Sequence, residues 1–180
     1  IGGWHDGYRN TPAHLVNNLS APVKGIVGPW IHKYPHVSPV GPTIGFLQEA
    51  VRWWDSWLKD IDNGVDQEPD YRAYLMDSIK PEVSLAHRPG RWIAEQHWPS
   101  ENISTETLFL ADQALADSPA PFQRVQPTTL ACGLNSGEYF PFGFGPGELP
   151  DDQQADDALS ACFDSEVTTV ARDIVGAPVV

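Results

Sequence analysis

Basic residues are scarce in this 180-residue chain, where 11 Lys and Arg stand against 24 Asp and Glu for a formal net charge of −13. So little positive charge argues against nucleic acid and anionic membrane as partners, because both are bound through basic patches. The deficit deepens along the chain: residues 1–90 carry 8 basic and 10 acidic side chains, residues 91–180 carry 3 and 14. Acidity of this kind is mainly a solubility device. Cysteine is also nearly missing. Cys132 and Cys162 offer neither a disulfide framework nor the close pairing, such as C-x-x-C, of a zinc site. They are expected to be buried free thiols, with a single disulfide left open. Long apolar runs are lacking: none approaches the ~20 residues that cross a bilayer. The first residues also lack the basic-then-apolar order of a secretory signal.

What remains is a composition suited to folding, with 41% hydrophobic and 19% charged residues and Gly and Pro spread throughout. Ile1-Gly2-Gly3 reads as the end of a strand entering a turn, and the last residues, 176–180, are an apolar run without a polar tail. An internal piece of a longer chain is therefore expected. Residues 12–19 place Ala13, Leu15, Val16 and Leu19 at helical spacing before Ser20-Ala21-Pro22 stops them. Residues 23–27 are a short β-prone run ending at Gly28-Pro29, so the opening predicts a βαβ unit with neighbouring parallel strands. Next, Leu47, Ala50, Val51, Trp54, Leu58 and Ile61 form an apolar helical stripe opposite Glu49, Arg52, Asp55 and Lys59. Gly64 is placed just past its end. Trp53, Trp54 and Trp57 on such a helix are expected to be core or domain-interface packing more than a ligand platform. Residues 62–69 are a polar linker. Beyond them the short apolar segments 71–76, 107–110 and 173–180 suit antiparallel strands. The stretch Phe140-Pro141-Phe142-Gly143-Phe144-Gly145-Pro146-Gly147 is expected to be a long ordered loop with aromatic anchors.

Two residues stand out chemically. Asp6 lies in Gly2-Gly3-Trp4-His5-Asp6-Gly7, directly after the first strand, and His32 lies in Gly28-Pro29-Trp30-Ile31-His32, directly after the second. Parallel strand ends gather at the carboxyl edge of an open sheet, where sites form, so a separation of 26 residues (32 − 6) is compatible with contact. An acid followed by a histidine is the chain order of α/β-hydrolases, whose serine precedes both. Singly, an Asp before Gly is commonly a turn former and a His near Pro a surface residue; their pairing at matching strand ends is the stronger signal. His5 should point away from Asp6 across an extended backbone. His32 and His36 have helical metal-pair spacing, but Pro35 and Pro39 disfavour a helix and no third ligand is evident. Gly133-Leu134-Asn135-Ser136-Gly137 is not a nucleophile elbow, because its glycine spacing is wrong.

Gly3-Trp4-His5-Asp6-Gly7-Tyr8, Gly28-Pro29-Trp30-Ile31-His32 and Trp54-Asp55-Ser56-Trp57-Leu58-Lys59 resemble successive motifs of the cocaine esterase and X-Pro dipeptidyl-peptidase family of acyl hydrolases. The usual forms there are close to GGWYDG, GPWxH and FFDxWLKG. Trp92-Ile93-Ala94-Glu95 with Trp98-Pro99 resembles the entry to that family's C-terminal jelly roll. Asp152-Gln153-Gln154, Asp156-Asp157 and Phe163-Asp164-Ser165 resemble its DQR…DD…FDS stretch, with Gln154 in place of the usual Arg. The resemblance implies an α/β fold followed by an all-β part. Residues 1–70 would be the C-terminal part of an α/β-hydrolase domain with a parallel sheet, and residues 71–180 the first part of an incomplete jelly-roll β-sandwich. It implies a serine acyl hydrolase, esterase or X-Pro dipeptidyl-peptidase-like, with Asp6 as orienting acid and His32 as general base. The serine would lie upstream, and no metal or cofactor is required. The implied partner is a small-molecule or peptide acyl substrate, and a homo-oligomer is compatible with it. Two alternatives stay open: a metal-assisted hydrolase using Asp6, His32 and His36, and a non-catalytic β-sandwich module binding carbohydrate or protein.

Overall fold

A computed structural model describes residues 1–82 and 85–176. Its centre is strand β2 (Gly25–Gly28), buried at all four positions. Strand β1 (Gly2–Gly3) pairs parallel to it, with Gly2 opposite Val27 and Gly3 opposite Gly28. Helix α1 (Thr11–Asn18) is the crossover between them, carrying Pro in its first turn, where the missing amide costs nothing. Strand β3 (Tyr71–Met76) pairs parallel with the other side of β2, Gly25 opposite Tyr71. Strand β4 (Gly90–Glu95) closes the sheet antiparallel to β3. The order is β1-β2-β3-β4. The expected βαβ opening is present.

The core forms where α1 lies on this sheet: Val16, Val27, Tyr71 and Ala73 are buried together, with Trp4, Ala13, Val23, Ile93 and Trp98 packed around them. Burial pushes the Tyr71 phenol up to about 12. Trp30 is buried just past β2, and its indole N–H donates to the Pro42 carbonyl at 2.9 Å, so no polar atom of the ring is stranded.

Strand β3 begins at Tyr71 and is hydrogen-bonded to β2, so the sheet continues across residue 70. Two sequence expectations need correction. First, helix α2 (Phe46–Lys59) has no buried residue. Its apolar stripe of Leu47, Val51, Trp54 and Leu58 is exposed, as is Trp57, and Trp53 is half-buried against it. The Glu49 and Arg52 part of the charged face turns inward, because both find partners there: Arg72 on β3 hydrogen-bonds Glu49 at 3.0 Å and forms an ion pair with Glu68 at 3.4 Å, and Arg52 bonds Glu68. The left-handed residue ending α2 is Asp60, not Gly64, which precedes a single 3-10 turn. Second, the thiols are free but not buried: Cys132 is half-buried and Cys162 exposed.

In the second half β5 (Phe109–Ala111) and β6 (Ala114–Ala116) form a hairpin. Among the described residues after Ala116 there is no further strand, only a bridge from Asp164 to Ala114 and the one-turn helix α3 (Gln154–Asp157). The strand expected at 173–180 is not formed over residues 173–176, and the rest lies outside the described residues. Residues 71–116 thus supply the sheet-rich character of this half.

Candidate active site

The site begins where β1 and β2 end side by side. Past Gly3 the two chains stay together: Trp4 N–H donates to Gly28 O at 2.8 Å and His5 N–H to Trp30 O at 3.1 Å. The approach is close enough that a Cβ on Gly3 would lie 2.1 Å from the Trp30 carbonyl oxygen, so only glycine fits. The chain then turns, with Asp6 N–H returning to Gly3 O at 3.2 Å. This delivers the Asp6 carboxylate to the end of β2, where His32 waits.

Asp6 Oδ2 lies 3.0 Å from His32 Nδ1, and Asp6 Oδ1 accepts the Tyr8 backbone N–H at 2.9 Å. Both carboxylate oxygens are engaged, which fixes the plane of the group. An ionised carboxylate can only accept, so the proton of a neutral His32 sits on Nδ1 and the basic nitrogen is Nε2. Exposure divides the pair by role: the Asp6 side chain is 12% exposed and that of His32 43%. The carboxylate is held inside while the imidazole stays reachable. Among the described residues none hydrogen-bonds Nε2.

His5 points away from this pair. Its Nδ1 meets the Pro29 carbonyl at 2.9 Å, and burial, the largest influence, holds its imidazolium below the usual histidine range. His36 does not join Asp6 and His32 either; its ring stacks on Phe46 at 5.5 Å and on Tyr34 at 6.1 Å. Among the described residues no three His, Cys, Asp or Glu side chains converge as a metal cluster would require. The Ser136 hydroxyl donates to Gly133 O at 2.6 Å within its own turn, which Asp156 braces by accepting the Gly133 and Asn135 amides at 2.9 Å each.

The residues that sequence reasoning missed come from far along the chain. Gly7 N–H donates to Pro141 O at 2.8 Å and His32 N–H to Phe142 O at 3.0 Å, so residues 141–142 strap the Asp6 turn to the His32 turn. Phe142 packs on the imidazole at 4.7 Å, Tyr8 at 5.7 Å and Phe144 at 6.1 Å. Gly143 has a φ of 79°, and a Cβ there would lie 2.5 Å from the buried Ile31. The alternation of Phe with Gly and Pro was a sign of an anchored loop. Its target was not readable from spacing.

The sequence model of one family, the X-Pro dipeptidyl-peptidase C-terminal non-catalytic domain, matches residues 63–180. No curated protein matches the chain, and no solved structure does. Asp6 and His32 both precede the matched segment, whereas the strap that covers His32 lies within it.

Proposed function

Because the chain belongs, through residues 63–180, to the family of the X-Pro dipeptidyl-peptidase C-terminal non-catalytic domain, we propose that its first 70 residues carry the acid and base of a serine acyl hydrolase. The observation that supports this most is the 3.0 Å contact between Asp6 Oδ2 and His32 Nδ1 at the ends of adjacent parallel strands. A family of dipeptidyl-peptidases places a non-catalytic domain in a hydrolase context, and the acid–histidine pair lies ahead of that domain. In this reading residues 1–70 close an α/β-hydrolase domain and residues 71–180 begin a jelly roll. The nucleophile is a serine from outside these 180 residues.

His32 Nε2 takes the serine hydroxyl proton as the oxygen attacks an ester or amide carbonyl, and then delivers that proton to the leaving alcohol or amine. Asp6 holds Nδ1 protonated, so that Nε2 is the base, and stabilises the imidazolium once it forms. No metal or organic cofactor enters either step. The substrate is a small-molecule or peptide acyl compound.

The test is turnover of p-nitrophenyl acyl esters and X-Pro amides by the full-length protein. His32→Ala is expected to lower kcat by several orders of magnitude, and Asp6→Asn by roughly 10⁴-fold if it misdirects the tautomer as in serine proteases. A serine outside residues 1–180 should be the one labelled by a fluorophosphonate. Labelling of Ser136, or full activity in His32→Ala, would sink the reading.

A further inference from the structure

The strap over His32 is itself held by one side chain. Residues 141–144 have no regular secondary structure, and their carbonyls face the site: Pro141 O accepts from Gly7 and Phe142 O from His32. Their amides face the other way. Phe142 N–H and Gly143 N–H both donate to Glu148 Oε2, at 2.9 and 2.8 Å. The carboxylate therefore closes the six-residue span behind the strap and satisfies two amides that would otherwise be left to water. Although partial burial works to raise the Glu148 carboxyl, the amides of Phe144, Phe142, Gly143 and Gly145 outweigh it and hold the group below the usual carboxylate range. Lys33 adds a second tie, its ammonium lying 4.5 Å from the centre of the Phe144 ring.

We propose that Glu148 is a positioning residue for His32, one carboxylate oxygen clamping the strap 141–144 against the imidazole so that the ring stays seated on Asp6 with Nε2 turned outward. The inference rests on the reading of His32 as general base. Asp6 secures the ring at a single nitrogen, which leaves the imidazole free to swing about that contact. The Phe142 ring on its face and the bond from the His32 amide to Phe142 O remove that freedom. Both depend on the strap keeping its turn, and the turn depends on Glu148. Through this residue the family's non-catalytic domain acts on the catalytic histidine without touching the reacting atoms.

Two variants separate the clamp from a general loss of structure. Glu148→Ala removes the acceptor. Glu148→Gln keeps one side-chain oxygen, and one oxygen accepts both amides here. In the 180-residue chain, NMR cross-relaxation between the His32 and Phe142 rings, and the ring-current shift of the imidazole protons, should vanish in Glu148→Ala and persist in Glu148→Gln. In the full-length protein Glu148→Ala should lower kcat about tenfold with KM nearly unchanged, short of the ~10²-fold that a 1 Å misplacement of a reacting group costs, and Glu148→Gln should restore most of it. Persistence of the ring contacts in Glu148→Ala overturns the clamp, as does a loss in Glu148→Gln as deep as in Glu148→Ala. If His32→Ala keeps its turnover, the general-base reading fails instead, and the ring contacts alone still decide whether Glu148 seats the histidine.

Discussion

His5 and Asp6 are neighbours in sequence with separate attachments, and the difference has a measurable consequence. The Asp6 carboxylate turns to His32, while His5 Nδ1 donates to the Pro29 carbonyl on the opposite side of the backbone. Burial lowers the folded-state pKa of His5 beneath its ordinary value of 6.5; the Pro29 carbonyl opposes this and is outweighed, and Arg88 and Arg9 reinforce it. The folded state therefore prefers His5 neutral. Above pH 6.5 the imidazole is neutral folded or unfolded and contributes nothing to the slope. As pH falls below that value the unfolded chain takes up the proton first, and stability declines until the folded pKa is passed. Urea denaturation at about pH 7.5 and about pH 5.5, on either side of the ordinary histidine pKa, should show this acid loss in the native sequence. The loss should shrink in His5→Asn, which keeps a donor for Pro29 O but does not titrate. Equal losses in the two proteins would show that His5 is not held neutral by the fold.

Helix α2 shows how an element can satisfy its own sequence pattern and yet face the other way. Its stripe repeats every three to four residues, as a core-facing helix requires, but Leu58 is 71% exposed while Glu49 pairs with Arg72 on β3 and Arg52 with Glu68 just before that strand. Arg72 is the hinge of this arrangement, pairing with both Glu49 and Glu68 with its side chain 27% exposed. Its removal leaves the half-buried Glu49 carboxylate without its cation and Glu68 with Arg52 alone. After discounting for screening at this exposure, Arg72→Met should cost about 1–2 kcal/mol, below the range for a fully buried pair. Leu58→Lys should stay within about 0.5 kcal/mol, as exposed substitutions usually do. Chemical denaturation of the two variants compares them directly, and a larger cost for Leu58→Lys would mean that the stripe, not the charged face, holds α2.

On the scale of the whole molecule, the first 70 residues do not hold the site by themselves. Strand β2 is flanked by β1 on one side and by β3 on the other, and β3 begins at Tyr71, a member of the central cluster with Val16, Val27 and Ala73. A chain cut at residue 70 loses that strand, the Tyr71 ring and the strap 141–144 together. Truncating one large buried side chain of this kind costs roughly 3–5 kcal/mol, a large part of the stability of a small domain. Residues 1–70 alone should therefore show the poorly dispersed amide spectrum of an unfolded chain, whereas 1–180 shows a dispersed one. A well-dispersed spectrum from the shorter chain would mean that β1, α1 and β2 need no partner.

Local geometry was legible in the sequence wherever it lay within one turn or one crossover. The glycines around Asp6, the helical spacing of 12–19, the apolar run before Gly28 and the order of acid before histidine were enough to bring Asp6 to His32, because a parallel βαβ unit has few ways to fold. Periodicity also located α2, but not its orientation. A stripe says which residues share a face, and only the meeting of Glu49 and Arg52 on α2 with Arg72 on β3 and Glu68 just before it decided that the Glu49 and Arg52 side turns inward. The same limit hid the strap. Phe142 and His32 are far apart in the chain, and nothing in either neighbourhood encodes the other. Their contact arises when the amide of His32 and that of Gly7, both left unpaired at strand ends, find the carbonyls of Phe142 and Pro141. Such long-range satisfaction of backbone groups is a property of the folded chain as a whole, and no local pattern carries it.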